Sequence, residues 1–396
     1  MSVAILGAGP AGLTLARLLE LNDIDYIVYE RDASAETSRN RGGCLDLHPA
    51  SGQAALRAAG LFDQFQKFAR YDAQEMRVLG PDGEVIFHRK YEGQEEDPEI
   101  DRSDLRDILV NSIPKDRIKW NMVVKDILKQ EDGSVNIRFT DGHEAKGFKL
   151  VVAADGIWTK ARKLVTSAIP EYSGVHYLQA PITHSNPAFE SLSQMLGPGA
   201  VVSIGSGRQI SAQRMRDGTI NVYIGLNVPE HWAKNSKELE DPDMFRGKLL
   251  EQDFKAWSTE LTDFVKYCEG SFFSWPLYAT PASALDWKTI PGIALVGDAA
   301  HVSTPFVGEG VNVAMHDSLQ LAEEIVKYGL ENLDKAVAEY EKKMFSRAID
   351  LINRSNASKA LMHAEDAPKG FKKVLQGASP GEEKLAMSER AMEASI

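Results

Sequence analysis

Near its amino end the chain reads Val3-Ala4-Ile5-Leu6-Gly7-Ala8-Gly9-Pro10-Ala11-Gly12, a short apolar run followed by glycines spaced G-x-G-x-x-G. In such a pattern Gly7 permits a tight turn, Gly9 lets the backbone approach a pyrophosphate, and Gly12 lets a helix pack closely on a strand. The stretch therefore predicts a strand, a glycine-rich turn and a helix N-terminus. We include Ala11, between the last two glycines, among the candidate binding residues.

The residues after Gly12 extend this unit. Apolar residues at helical spacing between 13 and 21 predict a helix, and Tyr26-Ile27-Val28-Tyr29 predicts a second strand. Glu30 follows that strand 18 residues past Gly12, where a carboxylate can accept hydrogen bonds from a ribose. Because all these parts fall in register, we interpret the stretch as a dinucleotide-binding site. The alternative is a glycine-rich turn in an ordinary α/β domain.

Composition excludes several classes of function. The chain has 396 residues, more than one typical domain, and a net charge of −12, which argues against a nucleic-acid partner. It has no apolar run of about 18 residues, so no transmembrane segment is expected. The first strand begins at residue 3, which leaves no room for a targeting peptide and predicts a cytoplasmic protein. Cys44 and Cys268 form no C-x-x-C pair, so neither a disulfide nor a metal site is expected.

Two later strands are predicted to end in an aspartate. Val151-Val152-Ala153-Ala154 leads into Asp155-Gly156, and Ile293-Ala294-Leu295-Val296 leads into Gly297-Asp298. A carboxylate at the carboxyl end of an α/β strand lies in the crevice where such sheets bind ligands. The second aspartate is followed by a glycine-rich turn, 305–312, that opens a long helix and can point backbone N–H groups at a ligand.

Arg102 and Arg106 lie four residues apart at the start of a helix predicted to run to about Ser112. Two cations at the positive end of a helix oppose its dipole. A bound anion such as a cofactor pyrophosphate would explain them. The alternative is a surface ion pair with Asp104 or a neighbour.

The chain resembles the class A FAD-dependent monooxygenases, the aromatic hydroxylase family. Three features carry the resemblance: Gly7-x-Gly9-x-x-Gly12 with Glu30, Asp155-Gly156, and Gly297-Asp298 with its glycine-rich turn. The resemblance covers nearly the whole chain. Within the family the sequence is most similar to the tetracycline-inactivating flavin monooxygenases. The shared stretches are Gly42-Gly43-x-Leu45-Asp46-Leu47-His48, Ser51-Gly52-Gln53, Pro98-Glu99-Ile100, Asp104-Leu105-Arg106 and Asn111-Ser112.

The resemblance implies a domain organisation. The expected fold class is α/β, with a Rossmann-like FAD-binding domain, a substrate domain built on a mixed or antiparallel sheet, and C-terminal helices. The FAD-binding domain would comprise residues 1–70, 100–170 and 277–328. The substrate-binding domain would comprise 71–99 and 171–276, and the C-terminal helices 329–396.

The resemblance also implies cofactor contacts, residue by residue. Glu30 would hold the adenosine ribose and Asp298 the ribityl chain, while Asp155 matches an Asp-Gly motif that the tetracycline-inactivating enzymes do not keep. Arg39 falls where those enzymes have an arginine assigned to NADPH. The other residues expected to contact FAD are Arg31, Asp46, Arg106, Pro305, Gly308, Gly310, Val311 and Asn312.

For the substrate, the resemblance transfers Gln179, which falls where that subgroup has a substrate-contacting glutamine. A histidine that those enzymes place near Val222 is not matched. A substrate arginine near Ala200 is also absent. We therefore expect a polycyclic aromatic or polyketide-like small molecule, with tetracycline-like compounds as one case.

The resemblance further implies a reaction. NADPH, a transient co-substrate, reduces the permanently bound FAD, and O₂ then gives a flavin hydroperoxide that transfers one oxygen to the substrate. No side chain is expected to act as acid or base, because the cofactor carries the chemistry. Only one dinucleotide fingerprint is present, so NADPH should lack a binding domain of its own. We also expect the protein to be a monomer. The alternatives are a FAD-dependent reductase on the same fold and a flavin-carrying protein that sequesters a ligand without turnover.

Overall fold

The computed structural model describes residues 2–37, 42–93 and 96–376. The strands are β1 (Val3–Leu6), β2 (Tyr26–Tyr29), β3 (Cys44–Asp46), β4 (Met76–Leu79), β5 (Val85–Arg89), β6 (Glu99–Asp101), β7 (Ile118–Lys119), β8 (Val124–Lys129), β9 (Val135–Phe139), β10 (Glu144–Phe148), β11 (Leu150–Ala153), β12 (Glu171–Ile182), β13 (Ala200–Gly205), β14 (Arg208–Arg214), β15 (Ile220–Asn227), β16 (Phe273–Ala279) and β17 (Ile293–Leu295).

The α-helices are α1 (Pro10–Leu21), α2 (Gly52–Ala58), α3 (Phe62–Gln66), α4 (Arg102–Asn111), α5 (Arg162–Val165), α6 (Phe189–Leu196), α7 (Trp232–Asn235), α8 (Pro242–Lys248), α9 (Thr259–Tyr267), α10 (Asp298–His301), α11 (Gly310–Tyr328), α12 (Leu333–Met362) and α13 (Ala367–Gln376). None of the helices in the described ranges is long and apolar enough to cross a membrane.

The chain divides into two compact units. The first comprises the chain up to Ala69 with Ile100–Glu171 and Ala279–Ile352, and the second comprises Arg70–Glu99, Tyr172–Tyr278 and the chain from Asn353 onward. The first unit ends at Ile352 and the last segment of the second begins at Asn353, so this boundary falls inside α12. The assignment of cofactor and substrate to separate domains stays a prediction.

The first unit is built on a parallel five-stranded sheet in the order β17-β11-β1-β2-β7. Val3 pairs with Leu150 of β11 on one side and with Tyr26 of β2 on the other. The strands β1, β2 and β11 are buried along their whole length, as expected for a parallel sheet whose two faces are both covered. Helix α1 connects β1 to β2, and this confirms the predicted Rossmann-like fold.

The second unit is built on a mixed seven-stranded sheet in the order β16-β12-β15-β14-β13-β4-β5. The pairs from β12 to β13 are antiparallel, whereas β13 runs parallel to β4. Apolar residues on one face of the sheet, among them Leu178, Ile210 and Ile224, form a core with residues of α6, α8 and α9. The mixed sheet confirms the predicted fold class.

The backbone interrupts several segments that could otherwise form longer elements. Strand β7 stops at Lys119, because Asn121 has a left-handed backbone with φ of 59° and a new strand, β8, begins at Val124. Of the segment 158–165, only α5 is helical. The segment 242–255 contains α8 followed by a π-helical turn, Leu249–Asp253.

Candidate functional site

The site is built where neighbouring parallel strands end. The glycine turn follows β1, Glu30 follows β2, Asp155 follows β11 by one residue, and Gly297-Asp298 follows β17. These four strands are adjacent in the sheet and run parallel, so their carboxyl ends lie at the same edge. The structure therefore brings the main sequence-predicted cofactor residues together.

The three glycines of the turn have different local surroundings. Gly7 has φ of +101°, and a Cβ there would lie 2.5 Å from the carbonyl oxygen of Ala154. A Cβ at Gly12 would lie 2.1 Å from the carbonyl oxygen of Gly7. A Cβ at Gly9 would meet no atom within 4 Å. The fold thus requires Gly7 and Gly12, whereas at Gly9 only a ligand would give a reason for glycine.

Helix α1 begins directly after Gly9, without a side-chain cap. Pro10, the first helical residue, has no N–H group, so the N–H groups that follow it are the donors at this end. Together with the helix dipole, such donors favour an anion. Ala11 is buried in this first turn, and its Cβ lies 3.5 Å from the position of a Cβ at Gly297. Ala11 therefore brings the turn after β1 close to the turn after β17.

Glu30 is held by the backbone around the glycine turn. Its side chain is buried, and its carboxylate accepts hydrogen bonds from the N–H groups of Ala8 at 2.5 Å and Asp32 at 2.9 Å. Each carboxylate oxygen keeps a further lone pair. The carboxylate is consequently fixed beside the glycine turn and can still accept a hydrogen bond from a ligand hydroxyl.

Arg106 forms an ion pair, but with Asp32 and not with Asp104. Its Nη2 lies 3.1 Å from the Asp32 carboxylate, and its other donors reach the carbonyl oxygens of Ala8 at 3.4 Å and Ala35 at 3.2 Å. Arg106 therefore braces the glycine turn and the loop after Glu30. A guanidinium carries five N–H groups, so contact with FAD remains a prediction. The Arg102 side chain is exposed.

Asp155 has the properties expected of a ligand-binding group. No residue in the described ranges hydrogen-bonds to its buried Oδ1. Burial raises the pKa of the carboxyl, a hydrogen bond from Thr159 opposes this effect, and the charges of Glu30 and Arg31 make smaller contributions of opposite sign. Because buried acceptors in proteins are normally satisfied, this oxygen indicates a place for a ligand hydroxyl. Arg31 itself has an exposed side chain.

Asp298 begins α10, and its side chain is exposed to solvent. Burial raises the pKa of its carboxyl, an effect that the positive fields of His301, Arg102 and Arg162 oppose. No hydrogen bond to this carboxylate is made by the residues that the structure describes.

Sequence reasoning assigned no role to Arg162, which is buried at 5% exposure. It donates to the carbonyl oxygens of Ile157 at 2.6 Å, Asp298 at 3.0 Å and Ala299 at 3.1 Å. Arg162 thus ties the loop after Asp155 to the turn that carries Asp298. The sequence carries no signal for this role, since all three acceptors are main-chain carbonyls.

A buried ion-pair network under the Asp298 turn was also missed. Asp317 on α11 accepts from Gly297 N–H at 2.9 Å and from Arg347 at 2.7 Å, and it lies 2.5 Å from His301 Nε2. His301 and Asp317 are at most 2% exposed. The available signal was an aspartate between buried residues of an amphipathic helix.

A second group of predicted residues lies where α11 begins. The Asn312 side chain is buried, accepts from the N–H groups of His48 at 2.8 Å and Gly52 at 3.3 Å, and donates to the Asp46 carbonyl at 2.8 Å. His48 Nε2 lies 3.0 Å from an Asp46 carboxylate oxygen. Asn312 therefore joins the start of α11 to the segment after β3 through its side chain.

The turn before α11 supplies the remaining predicted contacts. Pro305 begins a 3₁₀ turn with an exposed ring, and Gly308 ends it in the left-handed conformation with φ of 74°. Gly310 and Val311 open α11, whose N-terminus has no side-chain cap. The roles of these residues toward a flavin ring stay predictions.

The last two predicted residues lie elsewhere. Gln179 belongs to β12 of the second unit and is 8% exposed. Arg39 lies outside the described residues. Within the described ranges, no group of three or more His, Cys, Asp or Glu residues could hold a metal ion. Cys44 and Cys268 form no disulfide.

The FAD binding domain family matches residues 1–246 and 283–355 of the chain. The chain belongs to this family of class A flavin monooxygenases. It is 31% identical to the monooxygenase asqM of Emericella nidulans, over 94% of this chain and 98% of that protein. The protein is therefore a FAD-dependent monooxygenase, an oxidoreductase, as the sequence predicted.

Solved structures of other proteins share the fold. The Klebsiella pneumoniae protein HpxO, complexed with FAD and uric acid, gives a TM-score of 0.80 at 21% identity, covering 99% of this chain and 97% of that chain. The tetracycline destructase Tet(55) gives a TM-score of 0.72 at 18% identity, covering 99% and 97%. The predicted resemblance to tetracycline-inactivating enzymes is confirmed for the fold.

The residues present fit FAD. Gly9 leaves open space beside the N-terminus of α1, and Glu30 is fixed next to it. Asp155 offers a buried oxygen that no described residue contacts by a hydrogen bond, and Asp298 offers an exposed carboxylate. Together these groups provide an anion site and acceptors for sugar hydroxyls.

Proposed function

We propose that this FAD-dependent monooxygenase consumes NAD(P)H and O₂ and places one oxygen atom on a polycyclic aromatic or polyketide-like small molecule. The proposal rests on one observation. The glycine turn, Glu30, Asp155 and Asp298 lie together at one edge of the parallel sheet. When bound, FAD supplies the redox chemistry that connects NAD(P)H, O₂ and the substrate. The names of the relatives, including asqM, support the oxygenation.

In this proposal the chain binds and orients the cofactor. The α1 N-terminus and Gly9 hold the pyrophosphate, Glu30 accepts from the ribose hydroxyls, and Asp298 accepts from the ribityl chain. Arg162 keeps the main chain at Asp298 in place through its carbonyl contacts. The sequence contains one dinucleotide fingerprint, which supports NADPH as a transient co-substrate bound by residues such as Arg39. Gln179 contacts the substrate.

The glycine turn gives a matched test of the cofactor site. We expect Gly9→Ala to leave the apoprotein as stable as the wild type, since its Cβ meets no protein atom, and to weaken FAD binding by tenfold or more. Gly12→Ala should reduce both stability and FAD binding, because its Cβ would overlap the Gly7 carbonyl. Thermal unfolding of the apoprotein and FAD titration by flavin fluorescence separate the two effects. Equal FAD affinity in Gly9→Ala and wild type would contradict the pyrophosphate assignment.

The reaction is tested by supplying ¹⁸O₂ to the FAD-loaded protein with NADPH or NADH and a panel of polycyclic phenolic compounds. Mass spectrometry should detect a product that carries one ¹⁸O atom, and NAD(P)H oxidation should accelerate when the substrate is present. Unlabelled product formed without O₂ would instead identify a reductase. Tight binding of a compound without any turnover would identify a sequestering protein.

A further inference from the structure

The central strands of the second unit present a polar face. Gln179 of β12 lies opposite Tyr223 of β15, which lies opposite Ser211 of β14. Their sequence neighbours on the same strands, such as Leu178 and Val222, point to the other face and form the core with the helices. Because side chains alternate along a strand, Gln179, Tyr223 and Ser211 share the face away from that core.

This face carries no charged side chain along the paired part of β12, residues 175–182, or along β14 and β15. The charged residues of β14 alternate onto the other face, where Arg208 pairs with Asp253 at 3.0 Å and Arg214 donates to Ser193 at 2.7 Å. By register, the residues of the polar face are Val175, Tyr177, Gln179, Pro181, Gln209, Ser211, Gln213, Asn221, Tyr223, Gly225 and Asn227.

Gln179 differs from its neighbour Gln209 in its contacts. Gln209 accepts from the Tyr177 hydroxyl at 3.2 Å and donates to Ser211 at 2.5 Å. Gln179 is only 8% exposed, and no residue in the described part of the chain hydrogen-bonds to its side-chain amide. The amide atoms of Gln179 are not among the fully buried, unpartnered polar atoms, so they can still be reached from solvent. Its donor and acceptor are therefore available to a ligand.

The groups around this face suit a flat, neutral ring. The rings of Tyr177 and Trp275 lie 5.9 Å apart at 71°, and Phe273 lies 5.1 Å from Trp275. His363 also reaches the face, with Cε1 at 3.2 Å from the position of a Cβ at Gly225. Burial lowers the pKa of His363 to about 4, so this imidazole is neutral near pH 7.

We propose that this face selects neutral planar substrates that carry a cyclic amide, which exchanges one donor and one acceptor with the Gln179 side chain. A carboxylate substrate would be disfavoured, because the paired strands β12, β14 and β15 offer it no cation on this face and would leave its charge desolvated. Lys359, whose charge acts on His363, donates to the main-chain carbonyl of Ser173 at 2.9 Å. This inference rests on the proposed function, since it assumes that Gln179 contacts the substrate.

Three two-ring compounds test the inference on the FAD-loaded protein by calorimetric titration: isoquinolin-1(2H)-one, naphthalene-1-carboxylate and naphthalene. The wild type should bind the lactam at least tenfold more tightly than either other compound. Gln179→Leu should bind lactam and naphthalene equally. Gln179→Arg should gain tenfold or more for the carboxylate, because a guanidinium binds a carboxylate in a bidentate manner. Gln130→Arg, at an exposed glutamine of the first unit, is the control and should change neither affinity.

Two outcomes would overturn the inference: equal wild-type affinity for carboxylate and lactam, or unchanged affinities in both Gln179 variants. The flavin absorption spectrum and Tm of each variant check that it remains folded. The proposed function and this inference can fail independently. Lactam selectivity without ¹⁸O incorporation would contradict the proposed oxygenation and leave the selectivity in place. Incorporation of ¹⁸O that is insensitive to residue 179 would contradict the selectivity and leave the oxygenation in place.

Discussion

Asp298→Ala is expected to lose FAD while its apoprotein is at least as stable as the wild type. The Asp298 carboxylate is exposed and has no hydrogen bond from the described residues. Its removal therefore takes no contact from the apoprotein. We assign the carboxylate to FAD, for which each hydrogen bond to a charged group contributes about 1.5–3 kcal/mol.

Two measurements separate binding from folding in this variant. FAD affinity, measured by flavin fluorescence, should fall roughly tenfold to a hundredfold for each hydrogen bond lost. The Tm of the apoprotein should stay equal or rise. Asp286→Ala, at an exposed aspartate of the same unit, should change neither quantity. Full FAD occupancy in Asp298→Ala, or an apoprotein that is clearly less stable, would refute the assignment of Asp298 to the cofactor.

The sequence could predict which candidate residues lie together where their own chemical type carries the signal. Glycines at fixed spacing and acids directly after apolar strands mark the edge of a parallel sheet, so the common position of Glu30, Asp155 and Asp298 at that edge was predictable. Their supports were not found. Glu30 is fixed by main-chain N–H groups, and Arg162 binds main-chain carbonyls up to 137 residues away. A backbone partner has no side-chain identity, so no sequence pattern reveals it.

The fold also has parts that the sequence predicts and parts that it does not. Buried parallel strands such as β1 and β11 are continuous apolar runs and were predicted closely, because burial on both faces leaves little freedom of composition. The strand break at Asn121 depends on a left-handed backbone that many asparagines never adopt. Helix α6 was not predicted, although its apolar residues Phe189, Leu192, Met195 and Leu196 lie at helical spacing and pack on the sheet core.

Asp317→Leu should destabilise the first unit strongly, because Asp317 is the shared partner of two buried or half-buried cationic groups. His301 and Arg347 both contact its carboxylate, and the N–H group of Gly297 donates to it. Removing one partner of a buried ion pair costs about 3–5 kcal/mol, since the remaining charge stays desolvated. For a unit of this size the Tm should fall by roughly 10 °C. Glu323→Gln, at an exposed carboxylate of the same helix, should leave Tm unchanged.

The pH dependence of this loss has a defined sign. Burial alone would lower the pKa of His301, but the Asp317 carboxylate outweighs it and raises that pKa above 6.5. Its stabilising contribution is complete below pH 6.5 and is lost as pH rises through the raised value. Burial alone would raise the pKa of Asp317, but His301 and Arg347 hold it below 3.8. This contribution is present above pH 3.8 and is lost as pH falls through the lowered value.

The difference in Tm between wild type and Asp317→Asn should therefore be largest between pH 3.8 and 6.5 and should shrink on both sides. It should persist in part at alkaline pH, because Arg347 stays charged. A difference that does not vary with pH would show that Asp317 acts through hydrogen bonds alone. Because Asp317 also holds the N–H group of Gly297, directly before Asp298, Asp317→Leu, which has no acceptor, should weaken FAD binding even at temperatures where the unit remains folded. Unchanged FAD affinity there would limit the network to stability.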